Sequence, residues 1–431
     1  VSIDKTSAAT QNETVVENTE AAAAAVTAVD PRLLVREQGL TGYLGEFKRK
    51  LKAGELGSLP VVLGLIIICI VFQSLNSNFL SAQNLSDITV TMVGTGMISV
   101  GIVFVLLLGE IDLSVGSVSG AASALAAVLA VNQGWPEWLA VVIAIAAGIV
   151  IGALHGFFFA VLGAPAFAVT LAGLLFWLGF MLKVLGENGT INLDGDGLIG
   201  KLTTYFFSDV AAAYGLALVV VVVFFVTSFL GNRRREVAGI PSRPLSDTLM
   251  RTVLLAIVSF AAAYMYNQYK GLPLAAVIFV AFLVGTDFVL RRTAYGRKVF
   301  ALGGSVEASR RAGINVTAVR ISVFAISGGF AAIGGLFLAS KIASANQSAG
   351  TGDLLMNSIA AAVIGGTSLF GGRGRTWNAL LGVLVIVSIQ YGLQLESIAE
   401  PVKYMITAAV LLITVVVDSI TRKTQKTAGR A

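Results

Sequence analysis

The chain has 431 residues, 56% of them hydrophobic and 13% charged, with a mean hydropathy of +0.85. Soluble domains carry about 25% charged residues, so this composition excludes an ordinary water-soluble protein and reads as a polytopic membrane protein. The net charge is +6, but the cations sit in short loops between apolar runs; that pattern fits membrane topology and argues against a nucleic-acid partner.

Residues 1–57 begin polar, turn alanine-rich and show no apolar face, which predicts a disordered tail. The start lacks the basic region of a secretory signal. The stretch EFKRKLKAGELG then reads as a basic juxtamembrane segment on the cytoplasmic surface. Apolar spans follow near 59–79, 91–109, 113–131, 138–162, 166–185, 211–230, 251–267, 273–290, 321–341, 377–395 and 402–419. A shorter, glycine-broken piece at 358–372, SIAAAVIGGTSLFGG, is either a twelfth crossing or a re-entrant segment. The expected fold is therefore all-α: a transmembrane domain over 58–420 with about 10–12 transmembrane helices, and a basic tail at 421–431.

Loop charges set the expected orientation. Lys48, Arg49, Lys50 and Lys52 precede the first span, Arg233–Arg235 follow the sixth, and Arg291, Arg292, Arg297, Lys298, Arg310, Arg311 and Arg320 follow the eighth. Arg422, Lys423, Lys426 and Arg430 end the chain. All belong on the cytoplasmic side, with both termini, which favours counting 358–372 as a full crossing. The loop at 186–210, with Asp194 and Asp196, belongs outside; its DGDG reads as a turn, because the other ligand positions of a calcium loop are absent.

The stretch GEIDLSVGSVSG at 109–120 places Glu110 and Asp112 at a membrane boundary or within it. A charge at a helix centre costs about 2.5–3.5 kcal/mol on insertion scales, so it needs a polar cavity, a partner or the headgroup region. Three readings stand: Asp112 caps the next helix, the pair belongs to a permeation path, or it couples protons. The surrounding glycines and serines make a helix break here plausible.

The segment 291–320 is too long for a mere connector. Glu307 to Arg311 reads as one short amphipathic helix, capped by Ser305 and ended by Gly313, with Val299, Phe300, Leu302 and Val306 available for packing. No P-loop sequence is present, and GGTSLFGGRGRT lacks its lysine, so ATP hydrolysis by that route is excluded. One histidine, His155, and one cysteine, Cys69, exclude an ordinary His/Cys metal cluster. No cofactor is implied. Polar groups inside spans face protein or water; Glu110, Ser114, His155, Thr170, Thr367 and Gln390 are the candidates for lining a substrate path, though packing accounts equally for each.

Four motifs in order, GEIDLSVGSVSG, PAFAVTLAGLLF at 165–176, RRTAYGRKVFALGGSVEASRRAGINV and SAGTGDLLMNSIAAAVIGGTSLFGGRG at 348–374, resemble the permease subunits of ABC importers for ribose- and xylose-type monosaccharides. The resemblance covers about residues 59–420. It implies a permease homodimer in the cell inner membrane, a separate ABC ATPase subunit on the cytoplasmic side, and an extracytoplasmic sugar-binding protein. It implies that Glu307, Ala308, Arg310 and Gly313 belong to the loop that docks on the ATPase, with Ser309 where the family often has alanine. Asp112, Ser114 and Gly116 match its D-L-S-x-G signature, and His155 stands where relatives commonly carry asparagine. The extra middle region, with GNRRREVAGIPSRPLSDTLMR and NQYKGLPLAAV, resembles xylose-type permeases, so D-xylose is the expected cargo. Ribose or another monosaccharide is the alternative, and a proton-coupled secondary transporter or a non-transporting scaffold are the rival classes.

Overall fold

The computed structural model describes residues 59–239 and 245–427. The tail expected at 1–57 and residues 428–431 lie outside the described residues. In chain order the elements are α1 (Leu59–Leu75), α2 (Ala82–Leu107), α3 (Val115–Ala127, continued by a π-turn to Asn132), α4 (Glu137–Ala160), α5 (Ala166–Leu185), β1 (Thr190–Asn192), α6 (Leu198–Thr204), β2 (Phe206–Phe207), α7 (Val210–Val237) and α8 (Leu245–Asn267). Then come β3 (Leu272–Pro273), α9 (Leu274–Arg292), α10 (Ala294–Gly304), α11 (Val306–Arg311), α12 (Val316–Ile342), β4 (Ser344–Asn346), α13 (Leu354–Ile364), α14 (Thr376–Leu395) and α15 (Glu400–Thr427). Among the described residues nine helices are long and apolar enough to cross a membrane, and α1 and α13 are shorter apolar helices. The chain is an all-α, multi-pass membrane protein, as the composition requires. The expected basic tail continues helically as the end of α15, to Thr427.

Helix starts follow local chemistry. Ser81 accepts a hydrogen bond from Asn84 N at the start of α2, and Asn315 accepts one from Ala318 N at the start of α12. Helices α4, α5 and α9 begin directly after Pro136, Pro165 and Pro273, whose rings preset the backbone and whose missing N–H would be unpaired there anyway.

The chain folds as two compact units. The described residues of one are 218–239 and 245–259. Its described part is the end of α7 and most of α8, where Asn232 Nδ2 donates to Thr248 Oγ1 at 2.9 Å and Arg251 pairs with Asp247 at 3.5 Å. The other unit, described over 59–217 and 260–427, holds the main core. There α2 is buried almost throughout, and α12 packs along α2, α3 and α4. Close approach of α12 to α4 depends on Gly148 and Gly328: a Cβ on Gly148 would stand 2.5 Å from the Gly328 carbonyl oxygen. Lipid provides no hydrophobic drive between helices, so small residues that admit dense packing take over that role.

The piece expected at 358–372 is helical earlier and more briefly, over Leu354–Ile364. Eleven residues of helix reach roughly 16 Å, about half of a 30 Å hydrocarbon core. The chain nevertheless runs from one end of the bundle to the other. β4 pairs with β1, beyond the ends of α5 and α12, whereas Gly372 N donates to Leu107 O at the opposite end, where α2 finishes. The unwound stretch before α13 lies against α3, with Gly350 O facing Gly116 and Ala349 O facing Gly120.

Candidate functional site

The break expected in GEIDLSVGSVSG is present. α2 ends at Leu107, Gly109 turns the chain at φ +79°, and α3 starts only at Val115. The two acids go to different places. Asp112 is 3% exposed and accepts a hydrogen bond from Ser327 Oγ at 3.0 Å. Ser327 lies roughly 16 Å along α12 from its first residue, so this carboxylate is deep in the bundle. Glu110 is half-buried nearer the start of α12, where Arg320 lies. Burial raises its pKa, and the charge of Arg320 partly offsets that rise. The Arg320 guanidinium stacks over Phe159 with 4.4 Å to the ring centroid.

Asp112 anchors a buried polar string. Its Oδ1 accepts from Ser114 Oγ at 2.6 Å and from Ser114 N at 3.0 Å, while Oδ2 takes the Ser327 bond. Ser114 Oγ is 3.2 Å from His155 Nδ1, and Trp177 Nε1 donates to His155 Nε2 at 3.1 Å. Trp177 can only donate, so Nε2 is the bare nitrogen. Neutral His155 then carries its proton on Nδ1 and donates to Ser114, which donates to Asp112. Every proton in the string has an acceptor. Four helices contribute to it: α3 with the segment before it, α4, α5 and α12. Asp112 thus does not cap α3, whose N-cap is Ser114 with no side-chain capping bond; it accepts from the backbone N–H two residues on, an Asx turn ahead of the helix, and ties that turn to α12.

His155 is 4% exposed, and its ring occupies the space that Gly173 leaves: a Cβ there would meet Nε2 at 2.5 Å. Thr170 is buried beside the string, with its hydroxyl on Ala166 O at 2.9 Å. Gly116 packs on the unwound stretch before α13. Thr367 lies elsewhere, in the loop after α13, where Asn378 Nδ2 donates to its Oγ1 at 3.3 Å. Gln390 is half-buried on α14 and outside the string. Among the described residues no group of three His, Cys, Asp or Glu side chains could hold a metal ion.

The second feature lies where α2 ends. Helix α11 forms as the residues dictate: Ser305 Oγ accepts from Ala308 N at 3.3 Å, and Gly313, at φ +78°, donates its N–H to Arg310 O. Glu307, Ala308 and Arg310 are exposed, while Ser309 faces inward at 3% exposure. Before it stands α10, a helix that no sequence signal singles out, capped by Thr293 and burying Val299 and Leu302. Tyr295 on α10 hydrogen-bonds Ser322 on α12 at 2.9 Å. A Cβ on Gly303 would overlap the Leu107 carbonyl oxygen, the same atom that accepts from Gly372 N at 2.9 Å. Gly371 closes the junction against Gly109. The end of α10, which leads into α11, therefore rests directly on the turn that begins the Asp112 segment.

Sequence reasoning missed Ser327, Trp177 and Gly173 as members of the string. Their signals were slight: a serine beside a glycine pair in a span, and a tryptophan one turn from a glycine.

The family described as branched-chain amino acid transport system / permease component matches residues 84–415. The chain is 33% identical over 374 residues to the xylose transport system permease protein XylH of Escherichia coli (strain K12), covering 86% of this chain and 94% of that one. It is 31% identical to XylH of Haemophilus influenzae, covering 87% and 99%. With the ribose import permease protein RbsC of Bacillus subtilis (strain 168) it shares 29% identity, covering 85% and 94%. No solved structure matches the chain. A family match over most of the chain, joined by relatives above 30% identity along nearly their whole length, establishes that this protein belongs to the family of branched-chain amino acid transport system / permease components.

Proposed function

We propose that the chain is the membrane-spanning subunit of an ATP-driven monosaccharide importer, with D-xylose as its cargo. It works as a homodimer, receives sugar from an extracytoplasmic binding protein, and is driven by a separate ATPase docked on α11. The observation that carries this reading is the seat of α10 on Leu107, beside Gly109: the end of α10 rests on the turn that leads to the buried string, and the exposed α11, fixed at both ends, follows it directly. Such a lever can pass a two-state movement from a partner to the membrane helices. Positive charge at both flanks of α10–α11 supports a cytoplasmic placement of that face and of the termini.

The relatives support this cargo. XylH matches this chain at 31–33% identity, and RbsC at 29%. Ribose is the second reading, favoured by the nearly equal reach of the RbsC match. A sugar is uncharged, but crossing hydrocarbon would strip its hydrogen bonds at several kcal/mol for each unsatisfied group. Glu110, Ser114, His155, Thr170, Thr367 and Gln390 supply polar surface along the bundle, and the buried members among them serve the path only in a state where α3, α4 and α12 have separated.

The test is uptake of labelled xylose in cells with and without the chain, with unlabelled ribose, arabinose and galactose competing. Chain-dependent xylose uptake that unlabelled xylose suppresses best supports the reading. Unchanged xylose uptake with a loss of ribose uptake moves the assignment to ribose.

A further inference from the structure

Helices α2, α9 and α12 part on their outer side to leave a cleft of about 470 Å³. Its walls include Phe104, Phe282, Gly285, Val289 and Phe330. Phe282 and Phe330 meet edge to face in its wall with ring centroids 5.5 Å apart. The polar wall group, Thr286, turns its hydroxyl back to Phe282 O at 2.7 Å and Leu283 O at 3.2 Å, so the surface offered is apolar. Phe282 and Gly285 are exposed, which opens the cleft sideways.

Gly285 is the telling residue. A Cβ there would meet nothing within 4 Å, so no packing inside the chain requires a glycine. Glycine within a helix costs about 1 kcal/mol relative to alanine. Its presence leaves space for something outside the chain.

The dimensions identify the occupant. From Ala281 to Val289 the cleft runs roughly 12 Å along α9, close to the ~15 Å depth of one hydrocarbon leaflet. Phe282, Gly285 and Val289 share a helical stripe whose next member is Arg292, at the end of α9. Arg291 pairs with Asp287 at 3.6 Å, whereas exposed Arg292 makes no ion pair among the described residues. Exposed Arg297 and Lys298 follow on α10. We propose that this cleft holds an acyl chain of an anionic phospholipid in the leaflet facing α10 and α11, with the phosphate on Arg292.

The test uses the full chain in nanodiscs of phosphatidylcholine and phosphatidylglycerol with identical acyl chains, and native mass spectrometry to count the lipids retained. The wild type should retain phosphatidylglycerol over phosphatidylcholine by roughly five-fold, the ratio expected when one surface cation discriminates. Arg292→Gln should abolish most of that preference. Gly285→Leu fills open space without an internal clash, so it should fold, and it should lower retention of both lipids. Equal retention of the two lipids by the wild type would overturn the proposal, as would a Gly285→Leu chain that holds phosphatidylglycerol normally. A change in oligomeric mass with Gly285→Leu would overturn it too, by assigning the cleft to a second copy of the chain.

Discussion

Gly303 and Gly304 are neighbours at the end of α10, yet an added methyl group would meet opposite surroundings. On Gly303 it overlaps the Leu107 carbonyl oxygen and stands 2.7 Å from Gly372 N. Both obstacles are backbone, so no side chain can swing aside. On Gly304 it meets nothing within 4 Å, and neither glycine has a positive φ. Overpacking of a rigid site costs about 1–3 kcal/mol, and weakening the Gly372–Leu107 hydrogen bond adds about 0.5–1.5 kcal/mol. Gly303→Ala should therefore destabilise the chain by roughly 2–4 kcal/mol. Gly304→Ala should stay within about 1 kcal/mol of the wild type, tending to stabilise through helix propensity. Reversible unfolding in mixed detergent–SDS micelles measures both. Sugar uptake by the intact importer should fall for Gly303→Ala beyond its loss of folded protein, because α10 is displaced from the turn at Gly109. If the two alanine variants are equally stable and equally active, α10 does not bear on Leu107 in the working protein and the proposed lever is wrong.

Three further outcomes follow from the same geometry. Glu307→Arg removes an exposed 3.2 Å pair with Arg311 worth about 0.5 kcal/mol, so stability should hardly change while ATP-driven uptake is lost; normal uptake would remove α11 from coupling. Ser327→Ala deletes a donor to a buried carboxylate and should cost about 1.5–3 kcal/mol, most of which should vanish in an Asp112→Ala background; additive costs would show that the two residues do not interact. Glu110 has its pKa raised chiefly by burial, so the folded state holds its proton more tightly than the unfolded state and stability falls as pH rises from the ordinary carboxylate range through the raised value. Glu110→Gln should flatten that slope and leave the variant relatively more stable at neutral pH; an unchanged pH profile would refute the burial assigned to Glu110.

Much of this architecture is written in hydropathy, because a span must satisfy its own backbone and present apolar side chains whatever its neighbours do. The run at 166–185 is helical over those same residues, and other spans differ from their apolar runs mainly at the ends. α2 begins at Ala82 rather than near 91 because NLSDITVT, too polar for lipid, is covered by protein; Ser86 and Thr89 are buried. Helix α11 was legible from its cap and its terminal glycine, both local signals. Helix α10 was not, since its packing on α2 and α12 depends on contacts distant in sequence. The polar string was half legible. Asp112 and Ser114 announce themselves as polar groups in an apolar context, but nothing in the order of residues tells that Ser327, 215 positions away, supplies the third donor.

The same contrast explains how a carboxylate can lie deep among apolar helices. An isolated buried charge is expensive, but Asp112 receives three hydrogen bonds, and the donor of two of them is steadied by His155 and, through it, by Trp177. Those partners sit on α3, α4, α5 and α12, so the stabilisation exists only while the four are assembled. Separating α12 from the rest removes the Ser327 bond and leaves the carboxylate short of a donor unless water enters. In a transporter that is a useful property. Closed and dry is one satisfied state of the string; open and wet is the other, and a half-open arrangement satisfies neither. The buried acid thereby favours two arrangements over a continuum between them. The turn at Gly109, pressed by α10 on one side and joined to Asp112 on the other, is where a partner's movement would choose between them.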